Sequence, residues 1–214
     1  MPKKIAKSTT KRRYRSPTRQ LKSEETRERI LNAAFDLLRE KRYERMTIDG
    51  IAERAQVSSQ TVYVMFHSKA GILSELIDRI SFGPEYKDLV SKAMEREHPA
   101  DRLRYVAKIA RHIFDQRSEV VDILRGASLV SPELADLIEK REQQRYANQE
   151  HVIAFLNQEG CLRQDLNFKL ARDLLWTLTS RELYSLMVQQ RGWSSAQYEA
   201  WLGEALVEQL LQGL

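Results

Sequence analysis

With a single cysteine, Cys161, in 214 residues, the chain can form no internal disulfide, and no C-x-x-C pair offers a zinc site. Cysteine use of this kind fits a reducing compartment. Five prolines and eight glycines are too few for a collagen-like or broadly disordered chain. No apolar run approaches the roughly 18 residues that cross a bilayer. The basic N-terminus leads into no apolar segment, so it does not read as a signal peptide. Material for catalysis is also missing. There is no glycine-rich phosphate loop, no metal-ligand spacing and no paired-carboxylate constellation, and four scattered histidines make no site. The expectation is a cytoplasmic protein that is not an enzyme, holds no cofactor or metal and does not enter a membrane.

What the chain does have is apolar content and asymmetric charge. Hydrophobic residues make up 42% of it, enough for a real core. Residues 1–80 carry 18 Lys/Arg against 10 Asp/Glu, and the rest carry 17 against 20. A basic N-terminal third on a slightly acidic body fits a first part that meets a polyanion, although basic tails also serve as solubilising appendages. Residues 1–22 hold nine basic side chains, no acidic one and no apolar periodicity. That composition predicts a disordered tail.

From there on the apolar spacing is helical throughout, and no strand-like alternation longer than a few residues occurs. Ser23, followed by Glu24 and Glu25, reads as the cap of a first helix that carries Ile30, Leu31, Ala34, Leu37 and Leu38 to about Glu40. Thr47 caps a second helix, Ser58 a short third one and Ser68 a fourth, which ends before Gly83-Pro84. Further helices are expected near 85–96, 100–115, 118–130, 132–158, 167–191 and 195–212. Ser131-Pro132 marks one start, Gly160 and Gly192 follow helix ends, and Ser194 with Gln197 forms a capping box. The expected fold is all-α, with domains at 23–82 and 83–214.

Two short helices over 47–55 and 58–66 match a helix-turn-helix, whose second helix enters the DNA major groove. At about 100° per residue, Val62, Phe66, Met65 and Ser58 face inward. Gln60, Val64 and His67 point away, with Tyr63 and Thr61 on the flanks. Gln can pair with adenine, and Val can pack on a thymine methyl. Gln60 and Val64, with Ser59 beside them, are therefore the candidate base contacts. Thr61 and Tyr63 are placed for phosphate, and Ser58 and His67, at the two ends of the helix, join that set.

The run RERILNAAFDLLREKRYERMTIDGIAERAQVSSQTVYVMFHSKAGIL, Arg27 to Leu73, resembles the N-terminal domain of TetR-type transcriptional regulators. The matching positions include Ile30, Leu31, Ala33, Ala34, Leu37 and Leu38. They continue through Thr47, Ile48, Ile51, Ala52, Ala55, Val57, Ser58, Thr61, Val62, Tyr63, Phe66, Ser68, Lys69 and Leu73. The resemblance implies backbone-phosphate contacts from Thr47, Tyr63 and Lys69, and a groove position for residues 58–64. It also implies that the body dimerises and takes up a small-molecule effector. Two residues depart from the pattern. Gln56 stands in the turn where the family has glycine, and Gly50 interrupts the second helix.

The tail offers Arg12, Arg13 and Arg15 as further phosphate contacts, unless it is inert. Helix 167–191 is apolar nearly all round, and helix 195–212 is similarly rich, so each needs covering on two sides. Phe168, Leu175, Glu182, Leu186, Tyr198, Trp201, Leu202 and Leu206 are the candidate dimer interface, the alternative being a monomer core. Arg181 and Glu182 sit on apolar stripes, where a charge needs a partner. With Tyr105, His112, Arg125, Trp176 and Tyr184, Arg181 is a candidate effector contact or part of a structural ion pair. Residues 139–151 are polar on almost every face, so that helix is exposed or crosses a wet cavity. The expected function is a nucleoid-associated, homodimeric regulator, a repressor on palindromic double-stranded DNA released by an effector. The alternative is a helical adaptor with a basic tail and no sequence preference on DNA.

Overall fold

The computed structural model describes residues 17–129 and 131–213, so the expected contacts Arg12, Arg13 and Arg15 lie outside the described residues. Helix α1, Pro17–Arg45, begins before the expected cap at Ser23. Residues 17–22, read from sequence as disordered tail, thus extend the helix. They are good helix formers behind a proline at the first helical position. Residues 20–22 of this extension are exposed, Leu21 among them. At its other end α1 passes Glu40 because Tyr43 and Met46, just beyond, are buried.

Helices α2, Ile48–Arg54, α3, Ser59–Phe66, and α4, Lys69–Ser81, start where their caps were expected. The hydroxyls of Thr47, Ser58 and Ser68 each accept a backbone N–H three residues on. Prolines open the next three helices, α5, Pro84–Met94, α6, Pro99–Ser128, and α7, Pro132–Asn148. Then follow α8, Glu150–Gln158, α9, Phe168–Leu178, α10, Arg181–Tyr184, a π-helical turn over Ser185–Gln190 and α11, Ser195–Leu210. The capping box of Ser194 and Gln197 is formed, and Gly160 and Gly192 have positive φ.

Three expected boundaries are corrected. The separate helices 100–115 and 118–130 are one, because no Pro or Gly lies between them to stop the preceding turns. The expected helix 132–158 breaks at Gln149, after which α8 buries Val152, Ile153 and Leu156. The expected helix 167–191 breaks at Thr179, whose hydroxyl donates to the Leu175 carbonyl at 2.7 Å. Ser180 then caps α10.

Two cores meet along α6, which is about 45 Å long at 1.5 Å per residue. The first is built from α1–α4, yet it also contains Leu124 and Ala127 of α6 and Leu134 of α7. The second joins the first half of α6 to α8, α9, α10 and α11 around Leu103, Leu156, Leu175, Tyr198 and Leu206. The boundary expected at residue 83 is therefore not a boundary between cores. Among the described residues, no helix is long and apolar enough to cross a membrane.

Candidate nucleic-acid interface and cavity

Helix α3 is held by its inward face. Val62 and Phe66 are buried, and Arg27 of α1 stacks its guanidinium over the Phe66 ring while pairing with Glu75 of α4. The outward face is free, with Tyr63 59% and Val64 62% exposed and Gln60 and His67 exposed beside them. Thr47 is exposed at the start of α2. Ser58 and Thr61 share a hydroxyl contact at 2.8 Å, so one of the two protons stays available to an acceptor outside.

Ser59 and Lys69 are engaged within the chain. The Ser59 hydroxyl donates to Asp49 of α2 at 2.5 Å and braces the two helices of the motif. Lys69 donates to the carbonyls of Tyr43 and Met46, both at 3.1 Å, and burial lowers its pKa. Its ammonium closes the C-terminal end of α1, where unpaired carbonyls collect.

Both turns around α3 are strained. Gln56 has φ 55°, the left-handed region that its family position usually gives to glycine, and Arg29 of α1 steadies the turn through the Ala55 carbonyl at 3.1 Å. At the other end His67 has φ 65° and ψ −37°, and the Ser68 N–H donates to the Phe66 carbonyl at 2.7 Å. That is a γ-turn of the rare, strained hand. It brings Gly71 so close that an added Cβ would stand 2.1 Å from the Phe66 oxygen. Gly50, the other departure, has its own reason. A Cβ there would press to 3.1 Å on the Thr47 hydroxyl that caps α2.

Between the two cores lies a cavity of about 360 Å³, walled by α4, α5, α6, α7, α8 and α10. Its apolar surface comes from side chains such as Phe82, Val90, Val106, Ile109, Ile113 and Val152. Of the candidate effector contacts, Arg125 and Arg181 are among its lining residues, and Tyr105, His112, Trp176 and Tyr184 are not. Each of the four has a contact elsewhere in the fold. The Tyr105 hydroxyl accepts from Arg96, His112 lies 3.9 Å from Glu85, Trp176 lies under Arg145, and Tyr184 donates to Asp115 at 2.5 Å. Arg181 is 6% exposed and reaches Asp122 at 2.6 Å. Sequence reasoning missed Asp78, Arg102, Arg141 and Arg145. The available signal was the all-round polarity of 139–151, since Arg141, Glu142, Gln144, Arg145, Asn148, Gln149 and His151 do line the cavity. Among the described residues, no three His, Cys, Asp or Glu side chains converge to hold a metal.

The expected interface residues divide in two. Leu175, Tyr198, Leu202 and Leu206 are fully buried inside this one chain and cannot meet a partner without unfolding. Phe168, Leu186 and Glu182 are exposed, and Trp201 is half-buried.

A short recognition helix pinned by its apolar side, with an open reading face and a braced partner helix, defines a DNA-binding helix-turn-helix. The profile of bacterial regulatory proteins of the tetR family matches residues 30–76. A relative from Bacillus subtilis (strain 168), the uncharacterized HTH-type transcriptional regulator YdeS, is 30% identical over 156 residues, spanning 72% of this chain and 76% of its own. The chain belongs to the TetR family, and it is a DNA-binding transcriptional regulator rather than an enzyme. Solved structures share the whole fold. Native NalD of Pseudomonas aeruginosa, the secondary repressor of the MexAB-OprM multidrug efflux pump, superposes with TM-score 0.68 at 22% identity, over 89% of this chain and 98% of NalD. FadR of Bacillus subtilis with stearoyl-CoA gives 0.63 at 18%, over 85% and 98%. A transcriptional regulator of Saccharomonospora viridis with choline gives 0.65 at 20%, over 89% and 100%.

Proposed function

We propose that the protein is a homodimeric, nucleoid-associated repressor that binds a palindromic operator through α3 and is released when an effector enters the cavity between its two cores. The observation that carries this reading is the exposed pair of Gln60 and Val64 on a helix whose opposite face is buried. Ser59 adds to base reading indirectly, through its brace to Asp49. Thr47, Ser58, Thr61, Tyr63 and His67 grip the phosphates around the groove. The exposed apolar side chains Phe168, Leu170 and Leu186 supply the dimer surface. Twofold symmetry would set two copies of α3 on successive major grooves about 34 Å apart. An effector is supported by the cavity size, which falls within the range of about 300–1,000 Å³ usual for small-molecule sites. Neighbours of this fold hold choline and stearoyl-CoA.

Selection of bound sequences from random duplex tests the reading. A palindromic consensus is the expected result, and no enrichment would leave the helical adaptor in its place. Gln60→Ala should relax preference at one position per half-site, costing roughly 1–3 kcal/mol there.

A further inference from the structure

We infer that the cavity takes an apolar carboxylate, and that the head group of this ligand competes with Asp78 for Arg141. The inference rests on the effector reading above and gives that effector a chemical class. Most of the cavity wall is apolar, so the body of the ligand is hydrophobic. The polar part of the wall is unbalanced. Five guanidiniums line it, those of Arg102, Arg125, Arg141, Arg145 and Arg181, against the two carboxylates of Asp78 and Glu142.

Both carboxylates are already held. Asp78 accepts from Arg141 at 2.8 Å. Glu142 lies 2.8 Å from Arg145 and 3.6 Å from Arg125. A cationic ligand would find no open counter-charge in the wall, and it would have to break one of these pairs beside several other arginines. For an anion the arginines differ: Glu182 and Asp122, outside the wall, pair with Arg125 and Arg181, and Asp78 and Glu142 pair with Arg141 and Arg145. Arg102, among the described residues, donates only to the carbonyls of Met94 and Arg96, with its guanidinium 3.5 Å over the Phe155 ring. A guanidinium carries five donors, so a carboxylate can be added at Arg102 without first stripping a carboxylate partner, whereas at Arg141 it has to displace Asp78.

Of the five, Arg141 is the one that faces α4, whereas Arg145 donates to Trp176 and Thr179 at the end of α9. Arg141 and Arg145 stand one turn apart on α7, and Arg141 also donates to the Ser74 carbonyl at 2.7 Å and to its hydroxyl at 2.8 Å. Asp78 and Ser74 lie on α4, the helix that continues from α3 through the strained turn at His67. A carboxylate that draws Arg141 away from Asp78 therefore loosens the tie between the cavity and the reading helix. Occupancy by a neutral ligand of the same shape leaves that tie intact.

The experiment uses the full chain, the duplex selected above, and three probes with the same ten-carbon body: decanoate, decanol and decyltrimethylammonium. Calorimetry should show decanoate binding roughly tenfold or more tightly than either other probe, as one charge-assisted contact allows. Decanoate alone should displace the duplex. Arg141→Gln should weaken decanoate by a similar factor, and Arg141→Lys should restore part of it. Asp78→Asn separates this role from simple damage to the fold. It should raise decanoate affinity and lower duplex affinity before any probe is added. Equal binding of decanol, tighter binding of the cation, or weaker decanoate binding by Asp78→Asn would each overturn the inference. If decanoate binds as described but the intact protein selects no duplex, the regulator reading fails while the ligand class stands.

Discussion

The ammonium of Lys69 lies 3.6 Å from the centre of the Tyr43 ring while donating to the carbonyl of the same residue at 3.1 Å. One side chain thereby joins the start of α4 to the end of α1, and a residue that sequence places on phosphate has an internal task.

Lys69→Met is expected to cost about 1–2 kcal/mol of stability, combining a lost cation–π contact with lost charge-assisted hydrogen bonds. Urea titration measures it. An unchanged midpoint together with weakened duplex binding would return Lys69 to the phosphate set.

Gln56→Gly should stabilise the protein by up to about 1 kcal/mol, because the left-handed conformation costs a non-glycine residue about that much. Thermal melting reads the change. A lower melting temperature would mean that the Gln56 side chain contributes more than its backbone loses.

Tyr198 is wholly buried, and its hydroxyl has no hydrogen-bond partner among the described residues. Burial pushes its pKa well above the ordinary tyrosine value of 10.0. Below that value the phenol is neutral in both the folded and unfolded chain, and pH has no hold on it. Above it the unfolded chain releases the proton first, so the folded state binds more protons and stability falls as pH rises. Tyr198→Phe should therefore flatten the alkaline limb of a stability–pH curve. It should also add about 1 kcal/mol at neutral pH by removing an unsatisfied buried group. A fall in stability at neutral pH would show that the hydroxyl is satisfied in solution.

Leu186→Glu places a charge on the exposed apolar surface of the π-helical turn without opening a core. If that surface joins two copies, the variant should sediment as a monomer with its helical signal intact. It should also bind a half-site as well as it binds the palindrome. A variant that remains dimeric moves the interface elsewhere.

The sequence made the reading head legible for a physical reason. Caps and turns are local, so Thr47, Ser58, Ser68 and the glycine-like position at Gln56 could be placed from a few neighbouring residues. The strain at His67 was hidden, because nothing in its own side chain asks for positive φ. It follows from how Phe66 and Gly71 pack in three dimensions. The cavity was legible only as the polarity of 139–151. Its decisive pair, Asp78 and Arg141, is separated by 63 residues, and no spacing rule joins two such positions. The π-helical region misled for a related cause. Its apolar periodicity was real, but Thr179 and Ser180 turned their hydroxyls onto the backbone and broke the helix.

Leu124, Ala127 and Leu134 sit in the same core as Ile30 and Leu73. The reading head therefore carries part of its ceiling on loan from helices some fifty residues downstream. A fragment ending near residue 83 would expose that ceiling's imprint to water and should aggregate or melt. Transplanting the head onto another body would succeed only if the far end of α6 and the first turn of α7 travelled with it. The cut that looks natural along the chain runs through the middle of a folding unit.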